Sequence, residues 1–291
     1  MLAEKSNFSV SRMARLLEVS RSGYYAWVGR GPSKRAVRRE VIEAKIGWFH
    51  GASDEVSGSP RILADLRADG EVISRKTVAA AMRRLGLRGI CPKKWRTTTI
   101  VDHTDAYPVD AANRVWDTGV LNRIWVGDIT YLRTWQGWLY LATVIDAHSR
   151  RVIGWAIDDH MRADLVQDAL QMAITLRGEL PATVVFHSDR GTQYASAQIT
   201  KWARENGITR SMGLTGICWD NAMAESFFAT LKTEFYYRRV WPTKTGAKHA
   251  VGDWIEDRYN RRRRHSSIGQ ISPVDYEMQH CHQTAAEPQA A

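Results

Sequence analysis

Ile124-Trp125-Val126-Gly127-Asp128-Ile129-Thr130 is a strand candidate with a carboxylate set into it. Ile, Trp, Val and Thr favour a pleated, half-buried surface. A carboxylate in that setting is costly unless it is paired or binds a metal, so Asp128 needs a reason to be there. Reading towards the C-terminus, Gly137 marks a turn, Trp138 to Ile145 is a second strand and Arg151 to Ile157 a third. The three are close enough in sequence to pair as an antiparallel meander. Met161 to Leu176 is a helix with Leu165, Ala169, Met172 and Leu176 inward. Thr183 to Phe186 is a short apolar strand of the kind buried on both faces. Ala195 to Glu205 is a helix, Ile208 to Ser211 a strand, and Met212 to Asp220 a loop. Ala222 to Phe235 is a helix with Ala224, Phe228, Leu231 and Phe235 as its core stripe, and Thr243 to Tyr259 is another.

Three strands followed by alternating helices and strands is the order of an α/β ribonuclease-H-like core, a mixed five-stranded sheet with helices. Two more acids suit that arrangement. Asp189 ends the fourth strand after His187-Ser188, and Glu225 lies one turn into the helix that begins near Asn221. Carboxylate oxygens suit Mg²⁺ or Mn²⁺, and a pair of such ions about 3.5–4 Å apart clamps the attacking and leaving oxygens of a phosphoryl displacement. Taken singly, an Asp in a strand is more often a turn or hydrogen-bonding residue, and a Glu on a helix a solvated one. Asp146 and Asp220 are rival acids. Asp146, followed by Ala147-His148-Ser149, reads as a turn residue, and Asp220 as the N-cap of the next helix.

The region before residue 116 is helical and basic. Residues 1–115 hold 21 Lys/Arg against 12 Asp/Glu, whereas residues 116–291 hold 20 against 19. A basic surplus confined to one part of the chain is a footprint for a polyanion, most often nucleic acid. Val10, Met13, Ala14 and Leu17 recur at helical spacing, and Ser20 caps a short second helix through Tyr24 and Trp27. Lys34 to His50 is a longer helix with Val37, Val41, Ala44, Ile46 and Trp48 on its apolar side. Ser59 as N-cap with Pro60 in the first turn opens a helix striped by Ile62, Leu63 and Leu66, and Gly70 closes it. Ser74 caps the next, striped by Val78, Ala81, Met82 and Leu85. This pair matches a helix-turn-helix, with a structural hairpin as the alternative. Arg75, Lys76 and Thr77 would face base edges, and Arg83 and Arg84 phosphates.

Asp189 and Glu225 are separated by 35 residues, and Asp128 and Asp189 by 60. Here the chain resembles the DDE transposases with a retroviral-integrase-like core, whose last two acids are 35 residues apart. It is most similar to the second-frame (OrfB) product of insertion sequences of the "IS three" kind. The resemblance is carried by Trp125 to Tyr131, His187-Ser188-Asp189-Arg190-Gly191-Thr192-Gln193-Tyr194, Trp219 to Phe228, Tyr259 to Ser266, Ser272-Pro273 and Ser59-Pro60-Arg61-Ile62. It implies that Asp128, Asp189 and Glu225 are the catalytic, metal-holding acids, that two Mg²⁺ ions are the cofactor with Mn²⁺ as a substitute, and that the reactions are cleavage at element ends and strand transfer. It also implies that Lys232, seven residues after Glu225, contacts the DNA end. Ile217 departs from the polar residue the family usually has there, which leaves the loop contacts open. Arg261, Arg262, Arg263 and Arg264 are expected to meet phosphates.

Composition sets the limits. At 44% apolar and 25% charged residues, a disordered chain, a collagen or a coiled-coil rod is excluded, and no run of about 18–20 apolar residues could span a bilayer. Three scattered cysteines suggest a reducing compartment. The expected address is cytoplasmic, nucleoid-associated, without membrane partners. The expected domains are a helical region over 1–50, a helix-turn-helix over 51–95, a linker over 96–115, a catalytic core over 116–279 and a disordered tail over 280–291. Double-stranded DNA is the expected partner, bound by a homo-oligomer, with an upstream-frame protein or fusion as a further component. A ribonuclease-H-type nuclease and a non-enzymatic DNA-binding regulator are the rival readings.

Overall fold

The computed structural model describes residues 1–91, 118–180, 183–189, 191–212 and 222–286. The linker expected over 96–115 lies outside them, as does the loop after Met212 with Ile217, Cys218 and Asp220.

Five strands form one sheet: β1 (Ile124–Thr134), β2 (Gly137–Asp146), β3 (Val152–Asp158), β4 (Val184–Ser188) and β5 (Ile208–Met212), in the order β3-β2-β1-β4-β5. β1, β2 and β3 pair antiparallel, and β4 and β5 extend the sheet in parallel from β1. β1 runs four residues beyond the expected Thr130, because Leu132 and Thr134 are buried and keep pairing down to Gly137. Gly137 closes the hairpin at φ +109, a region that favours glycine.

Each sheet face carries a helical layer. On one side lie α6 (Ala163–Arg177), α7 (Thr192–Ala195) and α8 (Ala197–Glu205), packing Leu170, Tyr194 and Ile199 onto Trp125 and Phe186. The helix expected over 195–205 starts two residues later as α8, capped by Ser196, with the short α7 before it. The inward stripe of α6 is Leu165, Val166, Ala169, Leu170 and Ala173. Met172 is only half-buried and Leu176 is exposed, contrary to expectation. The helix is set by Gly154 of β3, where a Cβ would strike the Ala169 carbonyl oxygen. On the other side lie α9 (Ala222–Glu234) and α10 (Lys244–Asp253), with Phe227, Leu231 and Val251 against Leu132, Leu139 and Leu141. The helix expected through Tyr259 changes form after Asp253 and continues as a wider π-helical stretch, Trp254–Arg262. It carries buried Asn260, whose amide accepts from Val152 N at 3.0 Å and donates to Val152 O at 2.9 Å.

The tail expected over 280–291 is helical through residue 286, as part of α11 (Pro273–Ala286). Ser272 caps it, accepting from Asp275 N, and Glu277 is pinned by Arg151 and Arg177. His280 stacks on Tyr276 and meets His148, so it is packed rather than loose, while Cys281 is exposed.

Towards the N-terminus are α1 (Val10–Leu16), α2 (Arg21–Val28), α3 (Lys34–Ala52), α4 (Ser59–Ala68) and α5 (Arg75–Arg84). Ser20 and Ser74 cap α2 and α5 as expected, accepting from Gly23 N and Thr77 N. Three expectations fail. Leu85, expected in the stripe of α5, is 41% exposed, and the buried stripe is Val78, Ala81 and Met82. Gly58 rather than Ser59 is the N-cap of α4, because the chain at Gly58 runs against Gly89, where a Cβ would lie 2.5 Å from Gly58 Cα. The buried stripe of α3 is Ile42, Ile46 and His50, while Val37, Val41 and Trp48 face solvent, Trp48 at 68% exposure. α3 packs on α4 and α5, through Ile42 and Ile46 against Ile62, Leu66 and Val78. No helix among the described residues is long and apolar enough to cross a membrane.

Candidate active site

The register of β1 and β4 brings two of the acids together. Ile124, Trp125, Val126 and Gly127 pair in parallel with Val185, Phe186, His187 and Ser188. One further step of that ladder sets Asp128 beside Asp189, on chains about 4.8 Å apart. Side chains alternate along a strand. Ile124 and Val126 pack on Ala224 of α9, so Asp128 points to the face that α9 covers. Val185 packs on the same cluster, which puts Asp189, four residues on, on that face too. Ala224 is fully buried there, and Glu225 follows it in the first turn of α9, exposed.

The electrostatics agree with this placement. Tyr194 is buried beneath the strand ends, and its hydroxyl is pushed well above its ordinary value by burial, then by the charges of Asp128 and of Asp189. One phenol therefore senses both carboxylates. Partial desolvation on α9 raises the pKa of the Glu225 carboxyl, exposed though the residue is. Lys232 is half-buried; burial lowers its pKa and the Asp128 charge raises it. Its Nζ stands 4.8 Å from the centre of the Tyr131 ring. Asp128 Oδ1 accepts from Ile129 N at 2.7 Å, and Asp189 Oδ1 from Gly191 N at 3.0 Å.

Asp128, Asp189 and Glu225 do not form a trio with ligand atoms mutually within 4.8 Å; among the described residues only Asp158, Asp159 and His160 do. A set spread across two ions is wider than the shell of one. The all-oxygen donors, on neighbouring strands and a crossing helix, fit a divalent cation.

The rival acid Asp146 is a structural residue. It is fully buried and accepts from the backbone of Asn122, His148 and Ser149, and so builds the turn between β2 and β3.

The basic residues expected to touch DNA divide. Arg75, Lys76 and Thr77 are exposed in the first turn of α5, and Arg83 is exposed in its last. Arg84 is held by Glu43 at 2.5 Å. In the arginine run, Arg261 is exposed and Arg262 pairs with Asp257. Arg263 is turned inward, 8% exposed, with a two-pronged bond to Glu234. Arg264 is held by Asp65 and the Gln270 carbonyl. The π-helical stretch ends at Arg262, and the next two arginines are engaged by acids of other segments, Arg263 buried and Arg264 partly so, which corrects the expectation that all four meet phosphates. The sequence reading missed Glu234 and Tyr194. Tyr194 had a signal, lying five residues past Asp189 in the same motif segment; Glu234 had none, since its partners come from distant segments.

Integrase core domain families match residues 121–218 and 206–273, and an HTH-like domain matches residues 37–95. With the sheet order, they define the class: a polynucleotidyl transferase with an integrase catalytic core. Transposase InsF for insertion sequence IS3A of Escherichia coli (strain K12) is 39% identical over 275 residues, 94% of this chain and 95% of that one. The insertion element IS600 uncharacterized 31 kDa protein of Shigella sonnei is 35% identical, over 94% of this chain and 100% of that one. The HTLV-2 integrase catalytic core domain in complex with magnesium is 16% identical, with a TM-score of 0.42 over 53% of this chain and 95% of that one. The sequence relatives, and not that structural likeness, decide the assignment: the chain belongs to the IS3 family of insertion-sequence transposases. Both rival readings of the sequence are thereby set aside. The integrase core implies use of a divalent metal, and the HTH-like and core domains imply DNA as partner.

Proposed function

We propose that the chain cuts the ends of its element and joins them to target DNA at a site made by Asp128, Asp189 and Glu225. The observation that carries this reading is the β1–β4 register, which sets Asp128 beside Asp189 on the face crossed by the helix of Glu225. Bound there, two Mg²⁺ ions, with Mn²⁺ as substitute, would lower the charge barrier to attack on a phosphodiester. The three carboxylates hold that charge in place, and Lys232 steers the DNA end towards Asp128. In the first reaction a water oxygen attacks phosphorus, the P–O3′ bond breaks, and the 3′-oxygen leaves as a hydroxyl after taking up a proton. In the second, that 3′-hydroxyl loses its proton and attacks a target phosphodiester, releasing a target 3′-hydroxyl. No redox partner and no covalent protein intermediate is required. Arg75, Lys76 and Thr77 would read bases, with Arg83 and Arg261 on phosphates. Two ends must be held at once, so the working form is a homo-oligomer on DNA, alone or with an upstream-frame protein.

The test is cleavage and strand transfer by Asp128→Asn, Asp189→Asn and Glu225→Gln proteins on duplexes carrying the element's end. All three should lose both reactions and keep DNA binding. Full strand transfer by an Asp189→Ala protein would sink the assignment.

A further inference from the structure

A cavity of about 720 Å³ opens where α4, α9 and the arginine run meet. Arg61, Arg150, Ser226, Arg263, Arg264 and His265 are among its walls. Most of its arginines are answered by acids. Arg61 and Arg263 share Glu234, and Arg264 is held by Asp65. Just behind the cavity, Arg151 and Arg177 share Glu277. Arg150 differs. Among the described residues its guanidinium has no ion pair or hydrogen bond, and its Nε is buried without a partner.

The turn presenting Arg150 is fixed by its own hydrogen bonds. Its φ is +65, in the left-handed region rarely taken by a residue with a side chain. Arg150 N donates to Asp146 O at 2.9 Å, and the Asp146 carboxylate fixes the residues before it. A half-buried guanidinium without a counter-charge is costly, and the cavity supplies none. His265, within the same walls, is held neutral: its pKa is pushed down to about 2 by burial, then by Arg263, Arg61 and Arg150. Arg150 is thus the one arginine of these walls without an acid among the described residues. An anion with two adjacent oxygens matches the guanidinium fork.

We propose that this cavity is a subsite for a backbone phosphate of bound DNA, with Arg150 as its principal charge. The proposal rests on the DNA-cutting reading above. Ser226 lines the cavity next to Glu225, so a strand anchored at Arg150 continues towards the proposed acids. The subsite is separate from the exposed basic end of α5, and it is formed jointly by the helix-turn-helix and the core.

The experiment measures binding of the full chain to a short duplex of arbitrary sequence across a salt series. Each phosphate neutralised adds about 0.9 to the slope of log affinity against log salt. Arg150→Gln should lower that slope by about 0.9 and weaken binding equally on unrelated sequences. Arg150→Lys should keep the slope while losing affinity, since it retains charge without the fork. Ser226→Asp, which sets a carboxylate in the cavity and leaves Arg150 intact, should lower the slope as Arg150→Gln does. Thermal unfolding of each variant separates this from loss of fold. An unaltered slope in both Arg150→Gln and Ser226→Asp, with wild-type binding intact, overturns the subsite alone. Inorganic phosphate that raises the wild-type melting temperature but not that of Arg150→Gln, with equal duplex slopes, assigns the cavity to free phosphate and overturns the DNA subsite. Failure of the wild-type chain to bind any duplex overturns this proposal together with the reading beneath it.

Discussion

Arg61 of α4 donates to Glu234 of α9 at 3.0 Å, across 173 positions of sequence. The helix carrying Glu225 is thereby tied to the helix-turn-helix. Glu234 is 3% exposed and also takes both prongs of Arg263. Glu234→Ala should therefore leave two guanidiniums clustered without their acid. Stranding one partner of a buried pair costs about 3–5 kcal/mol, and urea unfolding of the variant should show a loss of that order. A loss under about 1 kcal/mol, the scale of a surface pair, would refute the network's role.

The same carboxylate makes the fold acid-sensitive. Burial raises the Glu234 pKa, but the hydrogen bond and charge of Arg263, with Arg61, outweigh it and hold the group below its ordinary 4.5. The sign follows from linkage: stability from this group is complete above the ordinary value and is lost as pH falls through the depressed one. Glu277, held down by Arg177 and Arg151, acts in the same direction. Unfolding free energy should fall as pH drops below 4.5. In Glu234→Gln that decline should be shallower, with a lower starting value.

Asn260 ties the π-helical stretch to the sheet through both backbone groups of Val152. It is 1% exposed, so Asn260→Ala strands a donor and an acceptor where water does not reach. Each costs about 1–3 kcal/mol. Asn260→Asp sets a buried carboxylate against the Val152 carbonyl oxygen and should be at least as destabilised as the alanine protein at neutral pH in a denaturant titration. An alanine protein as stable as wild type would contradict the two-bond account.

Gly127 precedes Asp128, and a Cβ there would collide with the Phe186 ring. Phe186 is itself packed against Tyr194, 6.0 Å between ring centres. Gly127→Ala should cost about 1–3 kcal/mol of stability by overpacking. It should also reduce cleavage more than that loss explains, because β1 and β4 must part where the acids sit. A melting temperature equal to wild type would remove the argument.

Much of this was legible in the sequence. The strands were clear because β-branched and aromatic residues cluster between turn signals, and Asp128 was conspicuous for breaking such a run. What escaped were features set by distant partners. Val37, Val41 and Trp48 repeat at helical spacing as well as Ile42 and Ile46 do, and only contact with α4 and α5 chooses between them. Arg261 to Arg264 read as one basic surface, since nothing local shows that a π-helical stretch will turn Arg263 towards Glu234. His280 and Cys281 looked like tail because the anchors of α11, Arg151 and Arg177, come from the sheet and α6.

The parallel pairing of β1 with β4 has a consequence in time as well as space. Asp128 lies in β1 and Asp189 directly follows the adjacent β4, but β2, β3 and α6 come between them in the chain. Non-local parallel pairing forms slowly, after the loop entropy has been overcome. On the proposed assignment, a nascent or half-folded copy holds its acids apart. The power to break DNA thus arrives only with the finished sheet, and an immature molecule is harmless to the DNA around it.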